Sequence, residues 1–175
     1  MNVDAYQTLE YKNNKHEIEL EGPFLCYRSD AWLGHGYYFW DTDISNAHYW
    51  GKKSYIRRNK AYTIAKTTIN IDEYCFDLVG SVQHKLDFSE SIKTLIKSGK
   101  LKSIEEAIVP NIIELMRELG LFNFKCCRAA DYPSNSTTIK FNKQRNEYLN
   151  LVNRVQICVY VKKDVILPPF IVVYP

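Results

Sequence analysis

An α+β domain with a mostly antiparallel sheet is what this sequence predicts. Three observations lead there. Stretches with strand periodicity crowd both ends of the chain. Stretches with helical periodicity fill its middle, an order that suits α+β packing rather than a doubly wound sheet. The chain has 175 residues, 46% hydrophobic and 25% charged, which fits one domain, 1–175, with its own core.

The elements follow in order. Val3–Thr8 reads as a short strand. Lys12–Leu20 reads as a weak helix closed by Gly22-Pro23. Tyr37–Trp40 is a short aromatic strand leading into a turn, and Asp43 can cap a helix over Ile44–Trp50 that ends near Gly51. Tyr62–Ile71 alternates β-branched residues, as a half-buried strand does. Ser89 can cap a helix with Ile92, Leu95 and Ile96 on one face, stopped by Gly99. Ser103-Ile104-Glu105-Glu106 fits a capping box, and Ile104, Ile108, Ile112, Leu115 and Leu119 follow at helical spacing up to Gly120. Pro110 inside that pattern predicts a kink or a split. Strands return at Phe124–Arg128, Thr137–Phe141, Val155–Val161 and Phe170–Tyr174. The last two are rich in Val and Ile, which predicts a place in the middle of the packing.

Composition excludes several classes. A net charge of +3 is too mild to demand a nucleic-acid partner and does not exclude one. No apolar run approaches the roughly 20 residues that span a bilayer. "MNVDAYQTLEYKNNKHE" has no apolar leader region, so a cytoplasmic protein with no membrane contact is expected, and the Asn135-Ser136-Thr137 sequon then carries no meaning. Cys26, Cys75, Cys126, Cys127 and Cys158 are odd in number and form no C-x-x-C pair. That pattern supports neither paired zinc ligands nor a disulfide framework; reduced thiols and no metal are expected. Cys158, in "VQICVYV", reads as a small buried apolar residue.

The most informative stretch is "LGHGYYFWDTDISNAHYWGKK", Leu33 to Lys53. Two of only seven glycines flank His35, beside Tyr37, Tyr38, Trp40, Tyr49 and Trp50. Glycine admits a flat group close to the backbone because no Cβ intervenes. Rings with an apolar face and a polar tip suit a planar, partly polar ligand. A turn followed by core aromatics has the same composition, and both readings stay open on the residues alone.

"GHGYYFWDTDISNAHYWG" resembles the Gly-x-Gly-x-Tyr-Phe, then Ala, segment of the ADP-ribosyltransferase fold. The likeness is to the branch of diphtheria-type toxins, poly(ADP-ribose) polymerases and several bacterial toxin families. The resemblance implies a split antiparallel sheet with a helical insertion at 89–120, and NAD as co-substrate with no metal. It implies that Tyr38 stacks on nicotinamide, that Ala47 lets a second ring approach, and that Tyr49 or Trp50 is that ring, near Gly36. "DAYQTLEYKNNKHEIELEG" has the layout of the family's opening strand, helix and glycine. Tyr6 and Gln7 stand where that strand carries His and Gly, and Thr8 matches its Thr. "VQICVYVKKDVILPPFIVVYP" has the rhythm of the closing strands, with Gln156 at the position of the catalytic glutamate. Small bacterial proteins with the same glycine-aromatic element carry similar "VQICV" strands.

The chemistry implied is cleavage of the nicotinamide–ribose bond, which builds positive charge on the ribose. A fixed anion there stabilises the transition state. Gln156 offers hydrogen bonds without charge. Glu147, in "QRNEYLNL", is the candidate that supplies the missing charge; a solvated surface acid is its plainer reading. His35 between its glycines is a candidate for the phosphate or adenosine side, and Arg128 for a phosphate. His48 and His84 lack metal spacing and read as surface or satisfied core residues. Lys93, Lys97, Lys100 and Lys102 form a basic edge, either solvated or turned to a macromolecule.

The resemblance implies a mono-ADP-ribosyltransferase acting on protein, RNA or DNA. Its setting is a bacterial or phage-related toxin–antitoxin or phage-defence system, with a protein antitoxin as partner. Tyr6, Gln7 and Gln156 depart from the family pattern, and the alternative is a catalytically degenerate module of the same fold that binds a nucleotide or a partner. An unrelated α+β interaction domain is the third reading.

Overall fold

The computed structural model describes residues 1–132, 137–151 and 154–175. The Asn135–Thr137 sequon begins outside them.

The fold is α+β and mostly antiparallel. Among the described residues nine strands run β1 Asn2–Glu10, β2 Tyr37–Asp41, β3 Tyr62–Asn70, β4 Cys75–Asp77, β5 Cys126–Asp131, β6 Thr138–Lys140, β7 Tyr148–Asn150, β8 Arg154–Val159 and β9 Ile166–Tyr174. Four α-helices accompany them: α1 Lys15–Glu21, α2 Ile44–Ser54, α3 Val82–Lys97 and α4 Val109–Glu118. Seven strands form one sheet in the order β4-β5-β8-β2-β1-β3-β9, and β6-β7 make a separate hairpin. Among the described residues only β4·β5 is parallel, and the chain between those two strands contains α3 and α4. A parallel pair needs a long crossover, which is what the helices provide.

Several elements differ from their sequence expectation. The α3 helix starts at Val82, capped by the Ser81 hydroxyl on the His84 amide, well before its expected start after Ser89. Residues 103–108 are not helical. The α4 helix opens at Val109 with Pro110 in its first turn, where a missing N–H costs nothing, so the proline neither kinks nor splits it. The α2 helix keeps its Asp43 cap but runs on to Ser54. Gly51 lies inside it because a Cβ there would overlap the Tyr62 ring. Of the last two strands, β8 is central but β9 is an edge strand, which explains how Pro168 and Pro169 fit within it.

One face of the sheet packs Ala5, Phe39, Ile69, Ile157 and Val159 with Ile18 of α1. On the other face α2 covers Tyr6, Trp40 and Ile64 through Ala47. Beside it, Leu95 of α3 and Ile112, Ile113 and Met116 of α4 cover Phe76, Cys127 and Cys158. The apolar stripe of the helical segment therefore covers the sheet.

The join between β1 and β2 positions the site. β1 pairs with β3 over nine residues, yet with β2 only at Ala5↔Asp41 and Tyr6↔Trp40. The sheet thus parts into β4-β5-β8-β2 and β1-β3-β9, held by a two-residue seam.

Candidate functional site

The three stretches singled out in the sequence lie on adjacent strands, β8, β2 and β1. Register sets Tyr6 beside Trp40 and Trp40 beside Gln156, so the three form a row across the sheet. Past the seam β1 and β2 diverge. The Gln7 side chain fills the gap: its amide donates to Phe24 O at 2.8 Å and Tyr38 O at 3.4 Å, and accepts from Phe24 N at 2.9 Å. Gln7 thereby does with its side chain what the ladder does elsewhere, and it anchors segment 24–34 over the opening.

More contacts fix that roof. Cys26 and Gly36 exchange backbone hydrogen bonds of 2.8 and 3.3 Å. The Tyr38 hydroxyl accepts from Leu33 N at 2.8 Å and donates to Gly34 O at 2.7 Å. The Tyr160 hydroxyl donates to Leu33 O at 2.8 Å. Burial pushes both phenols up, so they stay protonated and keep donating.

Under the roof lies a cavity of ≈ 290 Å³, whose lining includes Thr8, Trp32, Tyr38, Trp40, Trp50 and Gln156. Its mouth carries Arg28, bound to Asp30 at 2.8 and 2.7 Å and stacked over the Trp50 ring at 5.2 Å. Gln156 is only 7% exposed, and its Oε1 is buried with no hydrogen-bond partner among the described residues. A buried amide oxygen left unpaired costs about 1–3 kcal/mol, and a ligand donor would remove that cost.

The named residues divide. Gln7, Thr8, Tyr38, Trp50 and Gln156 line the cavity. Tyr6 is buried beside it in the α2 cluster, and Ala47 is fully buried where its carbonyl accepts from the Thr8 hydroxyl at 3.0 Å. His35 is exposed outside the cavity, edge-on to Tyr27. Gly36 lies against β8, where a Cβ would overlap Cys158 Sγ and Val159 O. Glu147 is exposed beside the β6–β7 hairpin and does not line the cavity. Tyr49 is 48% exposed under the Arg154 guanidinium.

Arg128 is not free for a phosphate. Its Nε donates to Asp41 at 2.6 Å, and a terminal nitrogen lies 3.3 Å from both Asp77 oxygens. Burial pulls its guanidinium down, but the two carboxylates outweigh that and raise it. His84 is a satisfied, half-buried residue, accepting from Asp77 N at 2.9 Å against the Phe76 ring. His48 shares a 2.9 Å hydrogen bond with the Tyr62 hydroxyl. Among the described residues no group of three or more His, Cys, Asp and Glu could hold a metal, and no helix is long and apolar enough to cross a membrane.

Sequence reasoning missed Trp32 and the bracing by Gln7. Neither carries a local signal, because both matter only once segment 24–34 crosses the parted strands. Comparison with protein-family models, curated proteins and solved structures finds no match to this chain.

Proposed function

We propose that this chain has the ADP-ribosyltransferase fold, binds the nicotinamide end of NAD in the ring cavity and transfers ADP-ribose to a macromolecular acceptor. The observation that carries this reading is the buried, unpartnered Gln156 Oε1 in a cavity walled by the glycine-aromatic element and the first strand. The adjacency of β8, β2 and β1 supports it, because motifs far apart in sequence meet there. The cavity's size suits a ring and its ribose, leaving the rest of a dinucleotide at the mouth beside Arg28.

The rings of Tyr38, Trp40 and Trp50 hold a flat group, and Gln156 accepts from a ribose hydroxyl. What the site lacks is charge. A carboxylate about 4 Å from the reacting carbon contributes roughly 4 kcal/mol at an effective dielectric near 20, about a thousandfold in rate. Among the described residues Asp30 is the one carboxylate lining the cavity, and Arg28 neutralises it. That pairing favours the second reading, a nucleotide-binding module without turnover.

The test is NAD affinity and nicotinamide release for wild type, Gln156→Glu and Gln156→Ala. Transfer predicts slow release by wild type, an increase approaching a thousandfold for Gln156→Glu, and loss for Gln156→Ala. Binding without release by wild type assigns the module reading. No NAD binding by folded wild type overturns both. The toxin and phage-defence setting belongs to the same proposal: induced wild type should arrest growth of a bacterial host and Gln156→Ala should not.

A further inference from the structure

A second cavity of ≈ 600 Å³ adjoins the first and shares the lining residues Asp30, Ala31 and Trp32 with it. Its floor includes Ala129, the cross-strand partner of Gln156. One residue pair therefore connects the floors of the two cavities. The remaining wall is apolar, supplied by Leu33, Leu78 and the Ala107–Pro110 approach to α4, with Ser29 as the other polar residue beside Asp30.

Past Ala130, β5 ends at Asp131 and the chain goes on to the β6–β7 hairpin. The surface there pairs rings with cations. Tyr132, Phe141 and Tyr148 are 57%, 68% and 59% exposed. Lys140, Lys143 and Arg145 stand against one acid, Glu147, and among the described residues none of the three has a carboxylate within 4 Å. A lone two-stranded hairpin is marginal in water, so a partner that covers rings and neutralises cations would steady it.

We propose that the acceptor is a single-stranded nucleic acid, one base entering the second cavity against Trp32 and flanking phosphates lying on the hairpin cations. A base has apolar faces for Trp32 and the aliphatic wall, and polar edges for the Ser29 hydroxyl and the Asp30 carboxylate. An acidic peptide would satisfy the cations, but its carboxylate side chains offer no flat face for Trp32 and no donor edge for Ser29 and Asp30. The acceptor role, though not the binding, rests on the NAD reading. In that step a nitrogen of the base attacks the ribose carbon opposite the leaving group. A carbon–nitrogen bond forms as the one to nicotinamide breaks, nicotinamide leaves with the electron pair, and the attacking nitrogen releases its proton to solvent.

Fluorescence anisotropy on the full chain tests this with a labelled 12-nucleotide DNA, the same sequence as RNA, and its duplex. Expected is single-strand binding that weakens with salt and is at least tenfold tighter than to the duplex. Charge reversal at Lys140, Lys143 and Arg145 should weaken it at least tenfold and flatten the salt dependence, and Trp32→Ala at least fivefold. The exposed hairpin variant covers the case in which Trp32→Ala fails to fold. Single-strand binding by a protein inert toward NAD keeps the nucleic-acid site and sinks the transfer reading. NAD cleavage without strand binding, or label passed from NAD to protein alone, overturns the proposal while that reading stands.

Discussion

At the residue scale, Gly34 and Gly36 answer differently although they sit two positions apart. Gly34 takes φ +83° with open space around its Cβ position. Gly36 has ordinary φ but lies against Cys158 Sγ and the Val159 carbonyl. Gly34→Ala is expected to cost about 1–2 kcal/mol from left-handed backbone strain. Gly36→Ala should cost about 3 kcal/mol, because strand β8 must move and with it Gln156. Urea midpoints of the two variants check the order, and equal losses would refute the close approach to β8. Glycine content marked the place in the sequence. It could not separate a turn from a packing contact, since only φ and the opposing strand distinguish them.

At the element scale, the helical segment belongs to the core. Ile113 is 2% exposed and Leu95 fully buried, both against the sheet that carries Cys127 and Cys158. Ile113→Ala is expected to destabilise by about 2–5 kcal/mol in a single transition, with α3–α4 and the central strands losing hydrogen-exchange protection together. Protection lost from the helices alone would show a separate unit. Helical periodicity was legible here. The start at Ser81 was missed because Ser81 and Ser89 are equally good caps in isolation, and the sheet contacts of Phe88 and Leu95 decide between them.

At the scale of the whole molecule, buried thiols and phenols set an alkaline limit. Burial lifts Cys158 from 9.0 to about 12, and burial beside the stacked Tyr174 phenol lifts Tyr62 from 10.0 to about 12. The folded state holds these protons more tightly than the unfolded chain does. Their stabilisation is complete below about pH 9 and disappears as pH rises toward 12. Stability by denaturant titration should be flat from pH 7 to 8.5 and fall above 9, and Cys158→Ala should shallow that fall. An unchanged slope in the variant would mean that Cys158 is not the titrating group.

The sequence by itself determined the α+β class, the Asp43-capped helix and the strand character of the segments holding Thr8, Tyr38 and Gln156, because periodicity and caps act over a few residues. Only the tertiary structure decided that those strands are neighbours and that β9 is an edge. It alone revealed that Gln7 braces the roof and that Arg128 is taken by Asp41 and Asp77. These outcomes depend on contacts between residues far apart in the chain, from Gln7 with Phe24 to Trp40 with Gln156. No local pattern encodes where such distant partners meet; the shared burial of one core does.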